Sequence, residues 1–583
     1  MSDHDSTEVD AGQHQAPSEA AIIAAAESGK LLATIFDGRW LYGDQRNVLA
    51  QQLVALHNAD QIDLLALPLD QLAGLDTQLY FAGHSLFYEM IPQLVGEVGP
   101  MMRLVNALVA RAGNDMASNL PNAAYQAWAQ AEPFRALAGL ELEATGDPAA
   151  AKLLRCNLVA GGFVDRAIAL IAQEDQERRL PAIFALGQMP LNKAQASAAH
   201  TAMVRALHAY PDDLMAANTL AAAIAIAARQ DRLDAPELLA LAKTALALAG
   251  PQVHYAIGHI LLNHRERLPA SLVADILGTL GSIDLSQNSA FSLLDGALAG
   301  LLDGAHAPLA IDALARLFSQ PGGEAMIALL KGTGYKLGHL PPQTLSKVIV
   351  QWLLAPRHRL REALNTILTA ADQKGAIAFS LADVDLPPRE QYLLCRRACG
   401  YFFLKPQLAA SVLLGVLREG HPEVRAAVAD LLYDPLAINY GGLERDYLDA
   451  IGPEDPAHAI VGQVLARLET FRKGLGEIAF LKELQPSGPR RQMEHERHAR
   501  VMREAYKAAE KESPILSLVS RSTLLHGRGS LSYFRGPNEK VDHSSVMELK
   551  THSYAWELPR VEVLDPVGLA MQLRALKFGE PVQ

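Results

Sequence analysis

The sequence predicts a mainly α protein: an α-solenoid of helical hairpins, followed by a small β-containing module at the C-terminus. Three observations predict it. The first is the stretch His421–Leu432, which reads as one amphipathic helix. Pro422 falls in the first turn, where its missing N–H would be unpaired anyway. Val424, Ala427, Val428, Leu431 and Leu432 then fall at i, i+3, i+4, i+7 and i+8, a single buried stripe. Just upstream, Pro406–Glu419 forms another apolar helix that Gly420 ends at a C′ position. Such a hairpin cannot bury its faces alone, and Val428 and Leu431 are expected to be buried against Pro406–Glu419. The second observation is size. The chain has 583 residues, half of them hydrophobic, whereas one globular core rarely grows past roughly 250–300 residues. The third is composition. The apolar residues are mostly Ala and Leu, strong helix formers, and β-type alternation appears only after residue 525.

Residues 1–17 are polar and acidic, with no apolar segment for secretion, and read as a disordered tail. Glu19–Thr34 and Arg46–His57 read as helices separated by Asp37 and Gly38. An apolar helix follows toward Val98. It is preceded by Gly83-His84-Ser85-Leu86, which resembles the start of the hydrolase nucleophile elbow G-x-S-x-G. That chemistry needs a strand running into a sharp turn and then a helix. Here Phe87 replaces the last glycine and no strand-like run precedes the serine, so a helix interior is the reading taken.

From Ala123 to Leu248 the pattern is densely helical. A helix starting near Tyr210-Pro-Asp-Asp runs to about Arg229, and the next starts after Asp234-Ala-Pro-Glu237, with Asp234 as its expected cap. His254, His259 and His264 lie five residues apart. On one helix such steps leave each side chain about 140° from the last, so the three cannot converge on a metal. Gly332–Gly338 is glycine-rich but lacks the phosphate-binding spacing G-x-x-x-x-G-K-[ST], and it reads as a loop between hairpins. Helices resume at Gln343–Leu354 and His358–Ala371, and again from Arg389. Cys395 and Cys399 share a helix face, but two thiolates do not close a zinc site, so core packing is expected.

Pro486-Ser-Gly-Pro489 breaks the pattern, and a charged helix, about Arg490–Glu512, forms a linker over residues 486–525. His495-Glu-Arg-His498 is not the zinc-protease motif, which needs its histidines at i and i+4. Residues 526–583 form the β-rich module. Strands are predicted at Ser530–Phe534, Val546–Trp556 and Val561–Leu564, and Asp565-Pro566 caps a final helix, Val567–Leu576.

His421–Leu432 resembles the second helix of a HEAT repeat, in which a helix-start proline is followed by Glu-Val-Arg-Ala-Ala. Ala185-Leu-Gly187 is a second match, and Pro211-Asp-Asp before an Ala-rich helix resembles a tetratricopeptide repeat. No strict period of about 34 residues is present. The resemblance to HEAT-like helical repeats implies that residues 18–485 form the solenoid and present an extended surface to partners. It supplies no catalytic residue.

Three cysteines fit a reducing cytoplasm better than a disulfide framework. No stretch approaches the roughly 18 apolar residues of a membrane helix. The net charge is −12. From Gln485 onward there are 15 Lys and Arg against 12 Asp and Glu, which leaves the remaining chain at −15. An acidic body repels phosphate backbones, so extended nucleic-acid binding is not expected along it; the C-terminus, with its small positive excess, stays open to it. No cofactor fingerprint appears. The expected function is a non-catalytic cytoplasmic scaffold or adaptor for a protein partner. The alternative is an effector or enzyme with its chemistry in the C-terminal module. There, Asp542 with Glu548-Leu-Lys550 resembles the D…E-x-K of metal-dependent nucleases, whose carboxylates hold Mg²⁺ while the lysine stabilises the attacking water. That family places its aspartate on another strand, and six residues leave little room for one. A charged outer strand face explains the same residues.

Overall fold

The computed structural model describes residues 16–37, 44–113, 119–371, 376–477, 487–512, 520–526, 529–535, 541–548 and 559–579. Helix covers most of them, far above the roughly one-third typical of globular proteins. Among the described residues no strand precedes Ser520. The chain divides into two compact units, Met1–Leu317 with Ala328–Thr333, and Phe318–Ile327 with Gly334–Gln583.

In the first unit, the predicted helix Glu19–Thr34 is two helices, Glu19–Glu27 and Leu31–Ile35. Gly29 breaks it at φ +69°, a conformation that glycine adopts without strain. The repetitive part begins with α1 (Val164–Ile171), α2 (Gln176–Gln188), α3 (Lys193–Ala209), α4 (Asp213–Arg229), α5 (Pro236–Leu246), α6 (Pro251–His264), α7 (Ala270–Thr279) and α8 (Asn288–Leu302). Helices α2, α4, α6 and α8 pack in succession, each on the next. Their starts are 37, 38 and 37 residues apart. The alternate helices form a second layer, in which α1 packs on α3 and α5 on α7.

Local chemistry sets these boundaries. Asn192 and Gln195 open α3 with reciprocal bonds of 2.9 and 3.0 Å, a complete capping box. Asp212 accepts from the Met215 N–H at 2.8 Å to start α4. Asp213 begins the same helix but serves α6. Its carboxylate accepts from the N–H groups of Gly250, Gln252 and Val253 at 2.8, 2.8 and 3.0 Å. The helix C-termini are tied in the same way. Arg229 donates to the Gly187 carbonyl at the end of α2, and Arg267 to the Ala228 carbonyl at the end of α4. Glycines let the stack close. A Cβ at Gly187 would stand 3.0 Å from Ala222 Cα, and one at Gly258 would stand 2.7 Å from Leu293 Cβ.

Two sequence expectations are corrected here. Asp234 does not cap α5. Pro236 takes the first helical position, which makes Ala235 the N-cap, without a side-chain bond, and leaves Asp234 one residue outside. Gly332–Gly338 is not a loop but lies in the helix Lys331–Gly338. Asp295 of α8 accepts from the Gly332 and Thr333 N–H groups at 2.9 and 2.7 Å, which compensates the poor helix propensity of glycine.

The second unit is built around α9 (Pro388–Tyr401), which packs on α10 (Pro406–Glu419), on α11 (Arg425–Leu431) and on the helix Pro342–Leu354. Val428 and Leu431 are buried, and α11 packs on α10, as the apolar stripe predicts. Pro422–Val424 forms a tight first turn before α11. Gly420 ends α10 with an extended backbone, not the left-handed cap expected. Its lack of a side chain serves packing instead, since a Cβ would meet the Val416 carbonyl oxygen at 2.5 Å and Gln391 Oε1 at 2.6 Å.

The Gly488–Glu512 helix occupies the predicted linker. Next come β1 (Ser520–His526), β2 (Gly529–Arg535) and β3 (Val541–Glu548), an antiparallel sheet in the order β1-β2-β3. Ser530–Phe534 lies in β2. Most of the predicted strand Val546–Trp556 lies outside the described residues. Val561–Leu564 is not a strand but part of the short helix Arg560–Leu564, which Pro559 introduces. The Val561 N–H there bonds Asn439 Oδ1 at 3.0 Å instead of a strand neighbour. The final helix, α12 (Pro566–Phe578), is capped by Asp565 through the Gly568 N–H at 2.9 Å, as expected. It packs on α9 so closely that a Cβ at Gly400 would stand 2.9 Å from the Lys577 nitrogen.

Candidate binding groove

The packing of the alternate helices is uneven in the first unit. α1 packs on α3 and α5 on α7, while α3 and α5 pack more loosely. A cavity of about 360 Å³ opens between the start of α3, the end of α4 and the start of α5. A second, of about 600 Å³, lies between the far ends of α3 and α5. Together they follow α5 along its length, about 16 Å for 11 residues. Small side chains explain the opening. Ala223, Ile226 and Ala227 of α4 form the floor, with Ala196 and Met203 on one wall and Ala235 and Leu238 on the other. Larger residues at the alanines would fill the gap.

The two ends differ in chemistry. At the first, Lys193, Ser197, His200, Thr201, Gln230, Arg232 and Glu237 surround the opening. Arg232 and Glu237 form an ion pair at 2.7 Å. Its own backbone N–H and then Arg232 hold the Glu237 carboxyl below its ordinary value. Burial pulls His200 below the usual imidazole value, while Glu237 opposes that shift. At the second end Leu207, Pro211, Ala240, Ala247 and Leu248 are apolar, and Lys243, Thr244 and His208 are the polar lining residues. His200 and Glu237 thus act on one another across the first end of the opening.

The residues considered from sequence are distributed elsewhere. Ser85 and His84 lie inside the helix Thr77–Met90, where Arg46 donates to Ser85 Oγ at 3.4 Å and His84 Nδ1 bonds the Phe81 carbonyl at 2.7 Å. His254, His259 and His264 share the unbroken α6. His254 is buried against Gln287 Oε1 and the Thr279 carbonyl, at 3.0 and 3.3 Å, and His259 meets the Tyr255 ring edge-on at 4.8 Å. Cys156, Cys395 and Cys399 are buried free thiols whose pKa values burial pushes up. Asp542 and Glu548 both fall on β3, six residues and so roughly 20 Å apart along the backbone, and Lys550 lies outside the described residues.

Sequence reasoning missed Lys193, His200, Arg232, Glu237 and Lys243. One signal was present. Lys193 directly follows the cap residue Asn192, and a helix start favours acids over cations. Comparison with family models, with curated proteins and with solved structures finds no match for this chain.

Proposed function

We propose that the chain is a non-catalytic cytoplasmic scaffold or adaptor, a degenerate HEAT-like α-solenoid that seats a segment of a protein partner between α3 and α5. The observation that carries this reading is the gap itself. Between the alternate helices α3 and α5 two cavities open over an apolar floor. The spacing of 37 or 38 residues supports the repeat assignment, because it falls between the roughly 34 residues of tetratricopeptide repeats and the roughly 40–47 of HEAT repeats. Buried, unpaired cysteines suit a reducing compartment, and no described helix is long and apolar enough to cross a membrane.

The test is a groove-filling variant. Ala240 is exposed on the groove wall, so Ala240→Trp adds bulk there without disturbing the core. Tagged parent and A240W proteins are used as bait in lysate of the native host, after matched helicity and melting temperature are verified. The expected result is loss of the principal captured protein by A240W. Equal capture by both, or no protein captured by the parent, overturns the reading.

A further inference from the structure

We infer that the segment seated between α3 and α5 is an acidic amphipathic helix of about three turns. This rests on the scaffold reading above and adds the partner's chemistry to it. The first ground is charge. The lining carries three cations, Lys193, Arg232 and Lys243, against one carboxylate, Glu237. That carboxylate is already taken by Arg232 at 2.7 Å. Lys193 and Lys243 have no carboxylate within ion-pair distance among the described residues. In a protein of net charge −12, the groove lining carries a local positive excess.

The second ground is the helix ends. α3 and α5 both start at the same end of the groove, so the partial positive charges of two N-termini add to Lys193 and Arg232 there. At α5 the N-cap Ala235 supplies no side-chain bond, and the one first-turn acid, Glu237, is shared with Arg232. Lys193 occupies the first position of α3, where local preference favours an acid. The Asn192–Gln195 capping box holds that helix start in place, so Lys193 stands at a fixed position beside the groove.

The third ground is shape and polarity along the groove. The end away from Lys193 is lined by Leu207, Pro211, Ala240, Ala247 and Leu248, with Lys243 on the flank. An apolar helix face fits against the alanines, and the same helix then presents carboxylates to Lys243 and to the Lys193–Arg232 end. About three turns span the 11 residues of α5. The mode is the laying of an amphipathic helix into a groove, with anchors at i, i+3, i+4 and i+7.

The experiment uses the full chain and two fluorescein-labelled peptides of about four helical turns. Both carry Leu at i, i+3, i+4 and i+7, one with Glu and the other with Lys on the remaining face. Binding is read by fluorescence anisotropy at low and high salt. The Glu peptide is expected to bind at least about tenfold tighter than the Lys peptide and to weaken as salt rises. It is expected to lose at least about tenfold in affinity to Lys193→Glu/Lys243→Glu and to A240W, and to keep its affinity for Lys193→Arg/Lys243→Arg. Glutamate at position 193 suits a helix start, so lost binding in the double variant does not reflect a weakened α3. Undiminished binding to A240W places the peptide outside the groove and overturns the inference. Equal binding of both peptides, lost together in A240W, overturns the charge assignment and leaves the groove reading standing. Failure of the Glu peptide to bind the parent overturns the acidic helix as occupant, while the scaffold reading is decided separately by the A240W capture.

Discussion

Asp455 is held by one guanidinium and one backbone N–H. Arg418 Nε reaches both carboxylate oxygens, at 3.1 and 3.0 Å, its Nη2 reaches Oδ2 at 2.7 Å, and the Ala457 N–H bonds Oδ1 at 2.9 Å. The Arg418 bonds hold the carboxyl below its ordinary value, against the opposing effect of burial. A carboxyl whose folded pKa is depressed stabilises the fold above its unfolded value, near 3.9, and loses that contribution as pH falls through the folded value. Asp455→Asn is therefore expected to cost about 1–3 kcal/mol at pH 7. The gap from the parent should close as urea midpoints are followed into acid below about pH 4. A gap that persisted unchanged at pH 2 would contradict the ion-pair account. At this scale the sequence is legible where a side chain acts within its own helix. Asn192 and Asp565 are caps that a local rule finds. Gly420 is not legible in the same way, because glycine at a helix end has two uses, a left-handed turn or close contact. Only the Gln391 side chain, about 30 residues away, shows which one applies.

Helices in the first unit borrow their ends from one another. Asp213 leaves the capping of its own helix to Asp212 and satisfies three N–H groups at the start of α6. Asp295 does the same for the helix Lys331–Gly338. Asp213→Ala is expected to destabilise by about 1–3 kcal/mol and to speed amide exchange at Gln252 and Val253. Asp212→Ala should cost only about 1 kcal/mol and speed exchange at Met215. Equal exchange at Gln252 in both variants would show that the borrowed cap does not form. Apolar stripes are therefore legible in the sequence, whereas the helix Lys331–Gly338 is not. Burial periodicity is local, whereas the acceptor that stabilises this glycine-rich helix lies some 37 residues upstream. The short helix Arg560–Leu564 misled for a related reason, since Val-Glu-Val alternates over too few residues to separate a strand from a single helical turn.

Across the whole molecule, helix content and its extent were legible because Ala and Leu dominate the composition. The repeat length was not. Few letters recur at equivalent positions; Arg229 and Arg267 do, one period apart, but only their contacts with Gly187 and Ala228 mark them as equivalent. The groove was illegible for the same reason. It is a looser packing between α3 and α5, and alanines that leave space look the same in sequence as alanines that allow close contact. If the helical body carries the function, the carboxylate and lysine of the nuclease-like pattern are dispensable. Glu548→Gln combined with Lys550→Met is expected to leave capture of the partner and activity in the host unchanged. A folded double variant that captured the partner but lost activity would move the chemistry to the C-terminal region.

The bonds that Asp213 accepts from the start of α6, and that Arg267 donates to the end of α4, tie α4 and α6 at both ends, and Arg229 ties α4 to the end of α2. Substitution within a helix is absorbed by its neighbours. A change of length is not. One residue inserted between Asp213 and Gly250 turns everything downstream by about 100° relative to the carboxylate meant to hold it, if the insertion falls within α4 or α5. Such an array tolerates drift in its letters but gains or loses length only in loops or in whole periods of 37 or 38 residues. Its lineage is therefore expected to vary in steps of one hairpin, with single-residue insertions and deletions confined to the turns between helices.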